Sequence, residues 1–148
     1  MTQDANNLWD AYRTTQFLAD TPRGEICIRI DEVQQKLDLL LNDYDANEWA
    51  FITAHNPASE LLDHSENKSR HSNFVKRIAD SGYQSFFGRG VGRNPSWEPE
   101  ESLLILGICR EDAIQVGRSL GQNAIVLGTV GAAAELIECA SGQTYPPS

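Results

Sequence analysis

The chain has 148 residues, 41% of them hydrophobic, a length and composition typical of one globular domain. Its 21 acidic and 12 basic side chains give a net charge of −9, which disfavours nucleic-acid binding through the whole surface. No segment approaches the roughly 18 apolar residues of a membrane span, and no signal-peptide pattern opens the chain. We therefore expect a cytoplasmic protein that forms a single domain over 1–148, with loose termini at 1–7 and 141–148.

Two further features of the composition are the cysteines and the distribution of positive charge. The three cysteines, Cys27, Cys109 and Cys139, are odd in number, far apart and flanked by apolar residues, which predicts core thiols rather than disulfides or metal ligands. Positive charge is concentrated in residues 68–93, which hold six basic side chains and one acid, a net charge of +5. Part of that segment is expected to be a solvated helix surface.

The first elements are a helix, a strand and a second helix. Apolar residues at loosely helical spacing predict an amphipathic helix over about 8–18. Isoleucines alternate with other residues over 25–30, as in a strand with one better buried side. Asp31 and Gln34 form a capping box, which predicts a helix that follows to about residue 44.

A buried strand is predicted over 49–55, because its aromatic and β-branched residues carry no charge. Pro57 ends it, since proline supplies no ladder donor and favours extended geometry at the preceding residue. His55 and Asn56 are therefore expected at the carboxyl end of this strand. Open α/β sheets usually bind their ligands there.

The next predicted helix begins at the capping box of Asp63 and Glu66 and runs to about Ser81. Phe74 and Ile78 mark its core face, and the same stripe carries three polar residues nearer its start, namely Asn67, Arg70 and His71. A polar stripe on a core face must be hydrogen-bonded or face a ligand. Equally, the first turns of this helix could extend beyond the core into solvent.

Residues 83–87 are predicted as a short strand, and 88–99 as a loop in which three glycines alternate with Arg89, Val91 and Arg93. Backbone amides in such a loop can turn toward an anion, with the guanidiniums alongside. It does not match the Walker or dinucleotide-binding patterns. A mobile surface loop with incidental arginines fits the sequence at least as well.

A continuous apolar run over 102–109 predicts a central strand covered on both faces. Glu101, next to this strand, is expected to be partly buried and to pair with Arg70, whereas Glu98 and Glu100 are expected to be solvated. A helix over 110–120 follows, and then two antiparallel strands.

These two strands span 123–129 and 134–140. The first of them is expected to run parallel to strand 102–109. The elements together predict an α+β fold, a single two-layer α/β domain with a mixed sheet of five to six strands and three to four helices.

Four short motifs resemble a bacterial family, domain-of-unknown-function family number 3293. They are Thr53-Ala-His-Asn-Pro57, Asn67 with Arg70, Trp97 with Glu101-Ser102, and Gly121-Gln-Asn123. The resemblance spans about residues 12–138 and supports the choice of these residues, but it implies no chemistry. The family commonly has tryptophan at position 55, which argues against His55 as an essential catalyst.

We consider two functions. In the first, a polar pocket binds a small anionic or nucleotide-like ligand and can be hydrolytic, with Glu101 as the general acid or base and His71 as second candidate. Its ligand-binding residues would be Asn56, Asn67, Arg70, Arg89, Gln122 and Asn123. No cofactor or metal site is predicted, since His64 and His71 are too far apart on the helix to chelate.

The alternative function is a non-catalytic protein-interaction domain, in which the same polar residues form a buried structural network. Geometry distinguishes the two functions. The first requires these side chains to converge on an open cleft, whereas the second has them satisfy one another in a closed arrangement. The sequence specifies neither an oligomeric state nor whether the protein is an enzyme.

Overall fold

The computed structural model describes residues 10–56, 61–92 and 98–144. The strands in these ranges are β1 (Gln16–Thr21), β2 (Gly24–Ile28), β3 (Glu48–Thr53), β4 (Gln84–Val91), β5 (Glu100–Leu106), β6 (Ala124–Thr129) and β7 (Glu135–Glu138). They form one antiparallel sheet in the order β2-β1-β4-β5-β3-β6-β7. The helices are α1 (Gln35–Asp43), α2 (His64–Asp80) and α3 (Arg110–Ser119), and residues 10–14 add a helical turn. No helix in the described ranges is long and apolar enough to cross a membrane.

Both faces of the sheet are covered by helices. On the first face, Trp49 and Phe51 of β3 pack with the buried leucines of α1. On the second face, Ala50 and Ile52 pack with Phe74 of α2 and with α3. The α+β class is therefore confirmed, but the two-layer arrangement is wrong, because strand alternation sends apolar side chains to both sides of β3.

The sheet differs from the prediction in strand number and direction. The described residues form seven strands instead of five to six, and all the ladders between these strands are antiparallel, so the mixed sheet is wrong. The strands β5 and β6 do run in the same direction, because both pair antiparallel with β3, which lies between them. The predicted antiparallel pairing of β6 with β7 is confirmed.

The additional strand is β1, which lies in the segment predicted as a helix. Phe17 and Ala19 alternate toward the core, and β1 pairs with β2 on one side and β4 on the other. Leu8 and Trp9, the first residues of the predicted helix, lie outside the described residues. The loosely helical spacing was misleading, because Tyr12 and Phe17 belong to different elements, the helical turn over 10–14 and β1.

One of the two predicted helix caps is present. Asp63 Oδ1 accepts a hydrogen bond of 2.8 Å from Glu66 N at the start of α2, as the capping box predicts. The cap at Asp31 is wrong: this residue has φ 71°, and Gln34 caps α1. Asp31 N instead donates to Ala134 O at 2.9 Å, which ties the segment to the start of β7.

The glycine-rich segment from Gly88 to Gly90 belongs to β4 and is not a loop. A Cβ at Gly88 would lie 2.7 Å from both Leu18 O and Phe51 Cε2, so glycine is required there for close packing. Arg89 is held in the strand, and its Nη2 lies 2.8 Å from Glu25 Oε2. Arg93, Trp97 and Pro57 lie outside the described residues.

Candidate functional site

The loop that follows β3 is fixed by the side chain of Asn56, whose φ of 48° asparagine tolerates better than most residues. Asn56 N donates to Asn67 Oδ1 at 2.9 Å, and Asn67 Nδ2 donates back to Asn56 Oδ1 at 2.8 Å. Leu62 N also donates to Asn56 Oδ1. With its oxygen held in this way, the carboxamide directs Nδ2 to Glu100 Oε2, at 2.8 Å.

Arg70 and Gln122 hold the same loop through backbone carbonyls. Arg70 Nε donates to Ala54 O and its Nη2 to Leu120 O, each at 2.5 Å, so the guanidinium joins the loop to the end of α3. Gln122 Nε2 donates to His55 O at 2.9 Å. Arg70 and Glu101 were predicted to lie within direct or water-bridged reach. No direct ion pair joins them within the described residues, because two carbonyls use the fork of the guanidinium.

The acids at the start of β5 point to opposite faces. Thr53 pairs with Ser102 in register, and strand alternation puts Glu100 on the first face with Ser102 and puts Glu101 on the second. Burial raises the pKa of the Glu100 carboxyl, and the hydrogen bond from Asn56 partly opposes that effect. Glu100 is half-buried and its carboxylate accepts a hydrogen bond from Asn56, so the expectation that it is solvated is wrong. The Glu101 side chain is 38% exposed.

A cavity of about 430 Å³ lies on the first face, beside Glu100. The ends of β3 and β5 and the segment before β6 line it with polar groups, which belong to Thr53, Asn56, Glu100, Ser102 and Gln122. Its apolar walls come from the first-face core, namely Phe17, Phe51, Ala124, Val126 and Leu136. Tyr12 and Thr15 close one side, with Gly90 beneath them. We call this the first-face cavity.

The second face carries a cluster of His55, His71 and Glu101. Glu101 Oε1 lies 3.6 Å from His55 Nε2, and Glu101 Oε2 lies 3.8 Å from His71 Nε2, both longer than a hydrogen bond. The two imidazoles meet edge to face at 6.1 Å, and His71 meets Phe87 in the same way. Desolvation lowers the pKa of both histidines, an effect that the charge of Glu101 opposes.

Two atoms of this cluster lack a hydrogen-bond partner within the described part of the chain, His55 Nε2 and His71 Nδ1. Both rings are nevertheless buried, with 8% of each residue exposed. Neutral imidazoles tolerate this environment better than charged ones, in agreement with the lowered pKa values. The described ranges contain no group of three or more metal-ligating side chains with suitable geometry.

The predicted site residues thus separate into three places. Asn56 and Gln122 line the first-face cavity. Asn67 and Arg70 hold the loop after β3, and Asn123 accepts a main-chain bond from Cys139 N. Glu101, His71 and Arg89 lie on the second face, where Arg89 contacts Glu25 and Asp20.

Thr53, Glu100 and Ser102 are among the polar residues of the first-face cavity that were not predicted as site residues. The sequence could have identified Glu100 and Ser102, because each lies an even number of residues before Leu104 in β5, and Leu104 is buried on the first face. Counting back from Leu104 in steps of two puts both on the first face.

A family described as "Protein of unknown function (DUF3293)" matches residues 52–125, half of the chain. The chain belongs to this family. The match runs from the end of β3 to the start of β6, so it contains Asn56, Asn67, Arg70 and Gln122, which build and hold the loop. Glu100 and Ser102 also lie within it, whereas β1, β2, α1 and β7 lie outside. No curated protein and no solved structure matches the chain.

Proposed function

We propose that the protein binds a small, largely apolar molecule in the first-face cavity. The observation that carries this proposal is the Glu100 carboxyl, which Asn56 holds in the wall of a cavity of about 430 Å³ whose other walls are mainly core side chains. Small-molecule sites typically have this composition, an apolar concavity with a few fixed polar groups that orient the ligand.

The polar groups of the cavity are preorganised. Asn56 is held by Asn67 and Leu62, Gln122 by the carbonyl of His55, and the Ser102 hydroxyl by the carbonyl of Glu100. A ligand would therefore meet groups that need little reordering, which reduces the entropic cost of binding. This supports a specific site over a gap left by imperfect packing.

The charge of the cavity limits its ligand. Glu100 is the acid of the described lining, which includes no lysine or arginine. The part of the ligand inside the cavity should therefore be uncharged or positively charged, with a hydrogen-bond donor for Glu100. The anionic group expected from the sequence has no cation to meet at this position.

We propose binding without hydrolysis. The Ser102 hydroxyl donates to a backbone carbonyl and not to a base, and His55 and His71 lie across the sheet from the cavity. Nucleophilic catalysis would need a base within hydrogen-bond reach of the hydroxyl. The mutual hydrogen bonds of Asn56 and Asn67, and the bonds of Arg70 to two carbonyls, form the closed arrangement expected of the alternative function. Their support of the loop beside the cavity accounts for them equally well.

The test uses N-phenyl-1-naphthylamine, an uncharged fluorescent amine whose emission rises in apolar surroundings. A leucine at Gly90 should fill the cavity without backbone strain, because a Cβ there meets only Thr15 Cγ2 at 3.7 Å and Phe17 Cδ1 at 3.9 Å. We expect the wild-type protein to bind one probe molecule. We expect Gly90→Leu to weaken binding by about tenfold or more, the equivalent of about 1.4 kcal/mol.

The matched control is Gln84→Leu, which adds the same side chain to an exposed position of the same strand. It should bind the probe as the wild type does. Equal binding by Gly90→Leu and the wild type would contradict the proposal, as would the absence of probe binding to the wild type.

A further inference from the structure

Glu100 is a half-buried acid without a cationic partner. Its Oε2 accepts the hydrogen bond from Asn56, and no cationic side chain forms an ion pair with it in the part of the chain that the structure describes. Burial raises the pKa of this carboxyl because its charged form is poorly solvated. A partly desolvated charge is costly unless it is paired, so a cation supplied by a ligand would offset that cost.

Space for such a cation lies directly beside Glu100 on the first face. Gly90 of β4 is its cross-strand partner, so no side chain stands opposite the carboxylate. The nearest described atoms outside β4 to a Cβ at Gly90 would be Thr15 Cγ2 at 3.7 Å and Phe17 Cδ1 at 3.9 Å. These residues all line the first-face cavity, so a ligand group in the cavity can approach the acid.

The polar side chains near Glu100 offer a ligand mainly acceptors, because their hydrogens are used within the protein. Ser102 donates its hydroxyl hydrogen to Glu100 O, and Thr53 donates its own to a backbone carbonyl of β5. Gln122 Nε2 donates to a backbone carbonyl, which leaves the acceptor Oε1 without a partner among the described residues. A ligand group that meets these side chains should therefore be rich in donors.

The sheet register puts the apolar walls of the cavity next to these acceptors. Thr53 pairs with Ser102. Two residues earlier in β3, Phe51 pairs with Val126 of β6, and both line the cavity. Two residues of a strand span about 7 Å. A ligand with a polar head at Glu100 can therefore place its hydrocarbon part among apolar side chains.

We propose that the first-face cavity binds a primary amine in its ammonium form, with Glu100 as the counter-ion. This inference rests on the proposed function and makes it more specific, because it names the class of ligand. An ammonium carries three N–H donors, and the Glu100 carboxylate, the Ser102 hydroxyl and the Gln122 amide oxygen supply three acceptors. Its charge supplies the partner that Glu100 lacks, and hydrogen bonds between charged groups are the strong ones.

Displacement of bound N-phenyl-1-naphthylamine tests the ligand class. Octylamine and octan-1-ol carry the same chain, and the amine is ionised at about pH 8, since an alkyl ammonium such as that of lysine has a pKa of about 10.4. We expect octylamine to displace the probe from the wild type at a concentration about tenfold lower than octan-1-ol does. Equal displacement would show that the amine assignment is wrong while the cavity proposal stands. If the probe does not bind the wild type, the cavity proposal itself fails.

Glu100→Gln tests the assigned residue, because it removes the charge and keeps an acceptor for Asn56. We expect it to remove the advantage of octylamine and to leave displacement by octan-1-ol unchanged. Glu98→Gln is the matched control, since it removes the same charge from an exposed position near the start of β5 that is not in the described lining of the cavity. Retention of the advantage in Glu100→Gln, or its loss in both variants, would contradict the role of Glu100.

Octyltrimethylammonium separates hydrogen bonding from charge, because it carries the same chain and a positive charge but no N–H donor. We expect it to displace the probe from the wild type only at concentrations about tenfold higher than octylamine requires. This comparison uses the wild type alone, so it does not depend on the folding of a variant. Equal displacement by the two cations would show that the site recognises charge alone and would contradict the assignment to primary amines.

Discussion

Glu100 and Glu101 are neighbours in the sequence, but their carboxyl groups lie on opposite faces of the sheet. The Glu100 carboxylate accepts a hydrogen bond from Asn56 beside the first-face cavity, whereas Glu101 lies between His55 and His71 on the second face. Because successive side chains of a strand alternate in direction, two adjacent acids serve two separate environments. Substitution of one should leave the other environment unchanged.

The first prediction concerns Glu100→Gln. Burial raises the pKa of the Glu100 carboxyl in the folded state. Its protonated form therefore contributes to stability in full below the unfolded pKa of about 4.3. That contribution is lost as the pH rises through the folded pKa. Glutamine stays neutral and keeps an acceptor for Asn56. Urea unfolding should therefore show that the free energy of unfolding of the variant, relative to wild type, is higher at about pH 8 than at about pH 4.

The control for this prediction is Glu98→Gln, which changes an exposed acid near the start of the same strand. Its difference from wild type should vary less between the two pH values. A Glu100→Gln difference that is independent of pH would show that the Glu100 carboxyl titrates alike in the folded and unfolded states.

The second prediction concerns His71→Phe. Desolvation lowers the pKa of His71 in the folded state, so the unfolded chain takes up its proton first as pH falls below about 6.5. The stability that the neutral His71 contributes above that pH is therefore lost as the pH falls toward the pKa of His71 in the folded state. The variant should lose less stability than wild type between about pH 8 and about pH 5 in urea titrations.

His64→Gln is the control, because it removes an exposed histidine from the first turn of the same helix. If it reduced the pH dependence as much as His71→Phe does, the buried ring would not be the source. His55 lies in the same cluster and its pKa is lowered by the same cause. The double variant of His55 and His71 should therefore show a smaller pH dependence than either single variant.

The third prediction concerns Arg70→Lys. Arg70 donates from Nε and Nη2 to the carbonyls of Ala54 and Leu120, and a single ammonium cannot reproduce that fork. We expect the variant to lose about 1.5–3 kcal/mol of unfolding free energy, the usual range for one hydrogen bond to a charged group. Arg77→Lys, which changes an exposed arginine on the same helix, should cost less than about 1 kcal/mol.

The fourth prediction concerns Gly88→Ala. The added Cβ would lie 2.7 Å from Leu18 O, where backbone cannot yield easily, and 2.7 Å from Phe51 Cε2. We expect a loss of about 1–3 kcal/mol in urea unfolding from this overpacking. Gly92→Ala, with no atom within 4 Å of the new Cβ, should stay within about 0.5 kcal/mol of wild type. Similar small effects at both positions would restore the loop interpretation of this segment.

Local signals in the sequence predicted those features that local interactions determine. The start of α2 followed from the Asp63 capping box, and its core face from the spacing of Phe74 and Ile78. These features need information from only a few neighbouring residues.

Features set by distant pairing were missed. The strand state of Phe17 depends on pairing with β2 and with β4, and β4 is far along the chain. Asp31 does not cap α1, and its backbone N–H donates to Ala134 O, about a hundred residues away. Arg70 was assigned an acid because an arginine on a core face needs a partner, but spacing within α2 could not show that two carbonyls would supply it.

The most direct test of the account is the position of bound N-phenyl-1-naphthylamine, measured by intermolecular nuclear Overhauser effects to methyl groups. The first-face cavity is lined by Val126 and Leu136, whereas Ile52 and Ile105 pack on the second face. We predict cross-peaks from the probe to the methyl groups of Val126 and Leu136 and none to those of Ile52 and Ile105. Cross-peaks to the two isoleucines alone would place the ligand on the wrong face and contradict the proposed site.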